Sequence, residues 1–287
     1  MTLRQRLRSP RFWRIILIGE FSWRRVLRSL LFIYAVMLIV AVFFPYRIIF
    51  QPPRASYGTN TAGLVFFAAH DGTRLAALHL PAVDNQPTLL YLHGNAEDIG
   101  MMQPLFQAFN ELGYGVFAYD YRSYGLSQGS PNERNSYADA KAAFAYLTNQ
   151  LGIPQRNIVV HGRSLGGAMA VYLAVVCRPR ALILESTFTS AYRVVARVPL
   201  FPCDKFSSLK RIPYVTCPVL VIHGTDDWII RPWHGRALYA AARAPKQAWW
   251  VEGAGHNDVI LTAGEEYFAR LRAFLSELGA TRAQARE

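Results

Sequence analysis

Gly162-Arg163-Ser164-Leu165-Gly166 sets a serine between two glycines. A serine hydroxyl attacks a carbonyl only when a base takes its proton, an acid orients that base, and N–H donors receive the developing oxyanion. The five-residue pattern alone is weak, because glycine and serine are common enough to produce it by chance. Its flanks carry more weight. Residues 157–161, NIVVH, read as a strand, and Leu165 to Cys177 read as a proline-free helix. A serine on that strand-to-helix turn sits in strained backbone at the positive end of the helix, where side chains in place of Gly162 and Gly166 would collide. The spacing predicts a nucleophile at Ser164.

Seven histidines compete for the role of base: His70, His79, His93, His161, His223, His234 and His256. His256 lies in a polar, glycine-rich loop after the last apolar run, WWVEGAGHND, which can present an imidazole over a neighbouring strand end. His161 and His223 read as strand-terminal packing residues. For the acid, the run HGTDDWIIRP closes a strong strand and offers Asp226 and Asp227. Asp227 is preferred because it stands last before the chain turns apolar again. Asp226 and Glu185, which ends ALILE, are alternatives. The oxyanion donors are expected to be the amide of Leu165 and the amide of Asn95, where Gly94 lets the loop LHGNAED turn towards the serine.

The elements that must position these residues follow from hydrophobic patterning. GLVFFAAHDGTRLAALHLP reads as two strands about an Asp71-Gly72 turn. TLLYLH, GVFAYD, NIVVHG, ALILES, PVLVIHG and AWWVEG are near-continuous apolar runs of buried-strand length. Helical stretches are expected at Met101–Leu112, Tyr137–Leu151, Leu165–Cys177, Pro232–Ala244 and Ile260–Leu278. This alternation predicts an α/β domain over residues 64–280, with a mostly parallel sheet covered on both faces and a tail over 281–287.

A net charge of +12 suggests nucleic acid until it is divided along the chain. Residues 1–54 carry ten arginines and Glu20, a balance of +9; the remainder carries +3. The main domain therefore gives no reason to expect DNA or RNA. Ser29 to Tyr46 is an 18-residue stretch without a charge, about 27 Å as a helix and sufficient for a short bilayer span. No small-residue cleavage site follows, so it reads as an uncleaved signal anchor over 29–46. Eight arginines precede it, which places the N-terminus in the cytoplasm and the domain outside it, as for a bacterial inner-membrane protein. Residues 1–28 suit a basic amphipathic segment in the headgroup layer, and 47–63 read as a linker. Cys177, Cys203 and Cys217 show no metal spacing; Cys203 and Cys217 could pair in an oxidising compartment. No cofactor or metal is expected.

Strand-His-Gly-Asn-Ala, YDYRSYGLSQG, Gly-x-Ser-x-Gly-Gly, HGTDD and GAGHND occur in that order between about Val65 and Leu278. Together they resemble the α/β-hydrolase superfamily, in particular its membrane-anchored abhydrolase-domain serine hydrolases, a group that includes protein depalmitoylases and many uncharacterised bacterial relatives. The resemblance implies an α/β-hydrolase fold with Ser164, Asp227 and His256 as triad and Asn95 with Leu165 at the oxyanion. In DYRSYG, Arg122-Ser123 departs from the family, which usually has a glycine in that pair. The implied activity is hydrolysis of acyl esters or thioesters, with a lipid-derived substrate reaching a short, basic lid segment between Glu185 and Cys217. There Arg193, Arg197, Lys205, Lys210 and Arg211 either face anionic headgroups or form a solvated loop. A catalytically inactive scaffold that binds lipid or protein, and a peptidase on the same fold, are the alternatives.

Overall fold

The computed structural model describes residues 22–84 and 86–284. Residues 1–21 of the expected headgroup segment and 285–287 of the expected tail lie outside the described residues. The chain forms two compact units, Met1–Pro45 and Tyr46–Glu287. In the first, helix α1 (Trp23–Phe43) has a mean hydropathy of 2.5 over its most apolar stretch, and its 21 residues reach about 31 Å, long enough to cross a membrane. It begins six residues before the expected span, since Arg24, Arg25 and Arg28 are good helix formers and do not interrupt the backbone. It ends before Pro45, whose ring disfavours helical geometry at Phe44. A short helix, α2 (Pro45–Ile49), then starts on that proline.

The second unit is built on an eight-stranded sheet in the order β1-β2-β4-β3-β5-β6-β7-β8. β1 (Leu64–Ala68) and β2 (Arg74–Leu80) form the expected hairpin, with Gly72 at φ +80° in its turn. β2 runs against both its neighbours, and every other pairing is parallel. β3 (Thr88–Leu92), β4 (Gly115–Tyr119), β5 (Ile158–Arg163), β6 (Ala181–Glu185) and β7 (Val219–Gly224) are buried at every residue. That two-sided burial is why they read as unbroken apolar runs rather than alternating ones. β8 (Lys246–Val251) closes one edge and is partly exposed.

Helices cover both faces. α3 (Gln103–Glu111) packs Phe106 and Phe109 into one core beside the C-terminal helices. α4 (Glu133–Asn149) and α5 (Gly166–Cys177) bury Ala140, Leu147, Ala170 and Leu173 in the other. α4 starts four residues before the expected Tyr137, because Asn132 and Asn135 close a reciprocal capping box. Between β6 and β7 the chain holds only α6 (Ser208–Arg211) and single turns, and α7 (Trp233–Ala241) follows β7. The single helix expected over Ile260–Leu278 is two, α8 (Val259–Ala263) and α9 (Glu265–Gln284). Gly264, at φ +55° and ψ −132°, holds a conformation closed to side-chain-bearing residues and breaks them apart. α9 runs on through residue 284 and presents Tyr267, Leu271, Phe274 and Leu275 to the core.

Residues 47–63 are not a free linker. Phe50 is buried between the rings of Tyr124 and Phe206, at 6.4 and 6.0 Å. All three cysteines are free thiols, so Cys203 and Cys217 do not pair. Burial pushes the Cys217 thiol up to about 12.

Candidate active site

Because β3, β5, β6 and β7 are parallel neighbours, their carboxyl ends lie along one edge, and the loops leaving that edge carry the polar residues singled out above. The serine turn is the tightest. Ser164 has φ +50°, a left-handed conformation costly for any residue but glycine. It is held there by its amide donating to Glu185 O (2.9 Å) and by Thr187 Oγ1 donating to its carbonyl (2.7 Å). A methyl group at Gly162 would sit 2.7 Å from the backbone of Gly167, and one at Gly166 would strike Leu92 O. Both glycines are therefore required by close approach, and α5 starts directly behind the serine.

His256 comes from the loop between β8 and α8. Its Nε2 lies 3.0 Å from Ser164 Oγ and its Nδ1 2.8 Å from Asp227 Oδ2. An ionised carboxylate only accepts, so Nδ1 carries the proton and Nε2 is free to accept from the serine hydroxyl. Asp227 is 2% exposed. Its Oδ1 accepts from the amides of Ile229 (3.0 Å) and Ile230 (2.7 Å), and His223 Nε2 approaches Oδ2 at 3.2 Å while bonding Ile230 O at 2.7 Å. Burial alone would raise the Asp227 pKa. Hydrogen bonds from His223 and His256, the His256 charge and the Ile230 amide outweigh it and hold the group at about 2.

The two alternative acids sit elsewhere. Asp226 is exposed and accepts from Thr225 Oγ1 at 3.2 Å. Glu185 is buried in its own network, where Tyr267 OH donates at 2.6 Å and His161 Nε2 stands at 3.2 Å. Burial would raise its pKa, yet His161, Arg163 and Tyr267 together lower it.

The loop after β3 supplies the expected amide at Asn95. Among the described residues neither the Asn95 amide nor the Leu165 amide has an acceptor within the protein. The Asn95 side chain is structural: its Oδ1 accepts from Tyr124 OH (2.5 Å) and from the amide of Gln51 (2.9 Å). Ser56 donates to Asp98 (2.5 Å), and Tyr57 OH donates to Asp120 (2.5 Å). The segment that reads as a linker thus buttresses the loop that carries Asn95 and Asp98. Nothing in its composition announces this, because the partners are scattered over later loops. His93 bonds Gly94 O at 2.8 Å and is fully buried beneath that loop. In DYRSYG, Ser123 takes φ +69°, the conformation a glycine would hold without strain, and Arg122 clamps Asp71 and Asp139.

Of the basic residues between β6 and β7, Arg193 and Arg211 lie over the rings of Trp233 (5.5 Å) and Tyr137 (4.8 Å). Sequence reasoning also missed Arg163, treated as a free position in the motif. It is 7% exposed and bonds two separate loops, at Glu97 and at His256-Asn257. Serine, imidazole, carboxylate and two unengaged amides together have the geometry for acyl transfer.

Comparison with known proteins gives the chain its relatives. The family model described as serine aminopeptidase, S33, matches residues 84–202, which takes in the serine turn and stops before Asp227 and His256. The alpha/beta hydrolase domain-containing protein aho-3 of Caenorhabditis elegans is 42% identical over 198 residues, 68% of this chain and 59% of that protein. The chain thus spans about three fifths of the nematode relative's length. Alpha/beta hydrolase domain-containing protein 17B of Homo sapiens is 39% identical over 210 residues, 72% of each chain. Among solved structures, an esterase of Pyrococcus furiosus aligns with a TM-score of 0.67 and 20% identity over 79% of this chain and 97% of its own. At that identity the likeness shows the fold alone. The eight-stranded topology and these relatives place the chain in the α/β-hydrolase superfamily, within its family of alpha/beta hydrolase domain-containing proteins.

Proposed function

We propose that the chain is a membrane-anchored serine hydrolase that cleaves acyl esters or thioesters through an acyl-serine. One observation carries the reading: the continuous hydrogen-bonded chain from Ser164 through His256 to Asp227. In the first step Ser164 Oγ attacks the acyl carbon while its proton passes to His256 Nε2, and Asp227 stabilises the imidazolium. The oxyanion is received by the amides of Leu165 and Asn95. Collapse expels the alcohol or thiol, protonated by His256, and a water molecule reverses the sequence to release the acid. Ser164 supplies the covalent step, and no cofactor is invoked.

A lipid-derived acyl chain suits the surroundings, since Val195, Val198, Leu200 and Trp228 on the loops after β6 and β7 are exposed apolar side chains. The peptidase alternative has less support. An aminopeptidase needs a free carboxylate for the substrate's ammonium group, and Glu97, Glu185 and Asp227 around the serine turn are all engaged by Arg163 or by histidines. An inactive scaffold would have no need of a strained serine aligned with a base and acid. The eight arginines that precede the expected span, against two that follow it up to residue 54, with α1 as signal anchor, favour an N-terminus in the cytoplasm and the domain on the far side of a bacterial inner membrane.

A fluorophosphonate probe should label the wild type and leave Ser164→Ala unlabelled. An unlabelled wild type overturns the hydrolase reading. A chain-length series of p-nitrophenyl esters and acyl thioesters, with aminoacyl anilides alongside, then separates the substrate classes. A C-terminal alkaline phosphatase fusion should be active, and an inactive one would put the domain in the cytoplasm.

A further inference from the structure

Arg163 ends β5 immediately before the nucleophile, with its side chain pointing away from solvent. Its Nη1 pairs with Glu97, whose other oxygen accepts from the amide of Gly94 at 2.9 Å. Its Nη2 donates to Asn257 Oδ1 (2.9 Å) and to the carbonyl of His256 itself (3.3 Å). Its Nε faces Glu185 Oε1 at 3.6 Å, on the strand paired beside it. One guanidinium therefore ties the serine turn to the loop bearing the Asn95 amide, to the loop bearing the base, and to β6.

These loops need such a tie. His256 follows two glycines, Gly253 at φ +71° and Gly255, and the Asn95 loop turns on Gly94 and on Ala96 at φ +57°. Asp227 fixes the direction of the imidazole but not the height of its backbone. The bond to the His256 carbonyl supplies that second restraint. A planar fork with five donors can hold several acceptors at once in one geometry, which a single ammonium cannot. Gly94 belongs to the same arrangement, since a Cβ there would stand 2.9 Å from Glu97 Oε2 and 3.3 Å from Arg163 Nη1.

The geometry points to Arg163 as a positioning residue that sets the Ser164–His256 distance and the placement of the oxyanion amide together. This rests on the hydrolase reading and deepens it. Its effect falls on the chemical step rather than on substrate binding, because Arg163 is buried beneath the turn. A misplacement of about 1 Å costs on the order of 10²-fold in rate.

Full-length protein in detergent, assayed with p-nitrophenyl butyrate, tests the assignment. Arg163→Gln should lower kcat about 10²-fold with KM within about twofold of wild type. Arg163→Lys should recover part of that loss, and guanidinium at millimolar, non-denaturing concentration should partly restore Arg163→Ala. A residue that merely holds the fold would give no rescue, and kcat per folded molecule, read against circular dichroism, would not change. Asn257 is exposed, so Asn257→Ala decides the matter if Arg163→Gln fails to fold; it and Glu97→Gln should each lower kcat about fivefold at constant KM. Either replacement combined with Arg163→Gln should cost less than the product of the separate effects. Unchanged kcat in folded Arg163→Gln, or in both Asn257→Ala and Glu97→Gln, overturns the assignment. Wild type labelled by fluorophosphonate alongside that result means this inference alone has failed; an unlabelled wild type means the hydrolase reading has.

Discussion

The carboxyl ends of β6 and β7 each carry a buried carboxylate against a histidine, and the two pairs are built to different ends. Glu185 is surrounded by Tyr267, His161 and Arg163, and the second nitrogen of His161 meets no polar partner among the described residues. The His161 ring packs on Tyr91 instead, with centroids 4.8 Å apart. Asp227 also sits in a closed shell, made of two amides and His223, but its other histidine has a far nitrogen that meets Ser164. A buried acid–histidine pair is thus not a catalytic signature by itself. What separates the two is where the imidazole's second nitrogen points.

Substitution should divide the pairs sharply. Ser164→Ala and His256→Ala are each expected to lower kcat about 10⁶-fold, and Asp227→Asn about 10⁴-fold, measured by ester hydrolysis. Glu185→Gln should keep kcat within about tenfold while lowering unfolding free energy by about 1–3 kcal/mol, read by denaturant titration, because its loss leaves buried donors short of an acceptor. If Glu185→Gln matched Asp227→Asn in kcat, the orienting acid would belong to β6.

Acid should then sharpen the contrast through stability. His234 is buried, and its Nδ1 accepts from the Thr189 amide at 3.1 Å. Burial, aided by the nearby His223 and Arg193 charges, holds its pKa at about 4 against an ordinary 6.5. The unfolded chain takes up that proton below pH 6.5 and the folded chain does not, so stability falls between pH 6.5 and about 4, by on the order of 3 kcal/mol. His234→Gln should flatten that slope in denaturant titrations at successive pH values. Asp227 acts in a lower window: its depressed pKa gives stability that is present above pH 3.8 and lost as pH falls towards 2.

Much of this arrangement could be read in the chain, and the parts that could not share a cause. The five central strands, β3 to β7, announced themselves as apolar runs, because burial on both faces leaves no alternation to misread. Ser164 was legible because its glycines are demanded by contacts that any sequence folding this way must respect. Asp227 and His256 followed from loops placed after strong strands. Local backbone effects were harder: the Asn132 capping box moved the start of α4, and Gly264 split a pattern that looked continuous. Least legible were Arg163 and the segment Gln51–Tyr57. Their meaning lies in partners between 22 and 94 residues away in sequence, and no periodicity encodes a partner.

The smallest expected effect tests the finest distinction. Asp226 and Asp227 are neighbours of identical chemistry, and periodicity cannot rank them. Backbone geometry does: the Asp226 amide bonds Ala254 O at 2.9 Å, which leaves its carboxylate exposed beside Thr225, while the next residue turns inward beneath His256. An exposed carboxylate is screened by water and by salt, so its field at the imidazole is weak. Asp226→Asn should therefore change kcat less than about twofold and leave unfolding free energy within about 0.5 kcal/mol. Steady-state kinetics on Asp226→Asn beside Asp227→Asn makes the comparison directly. A loss at Asp226 with Asp227→Asn still active would reverse the assignment and require the loop after Gly224 to sit one residue out of its present register.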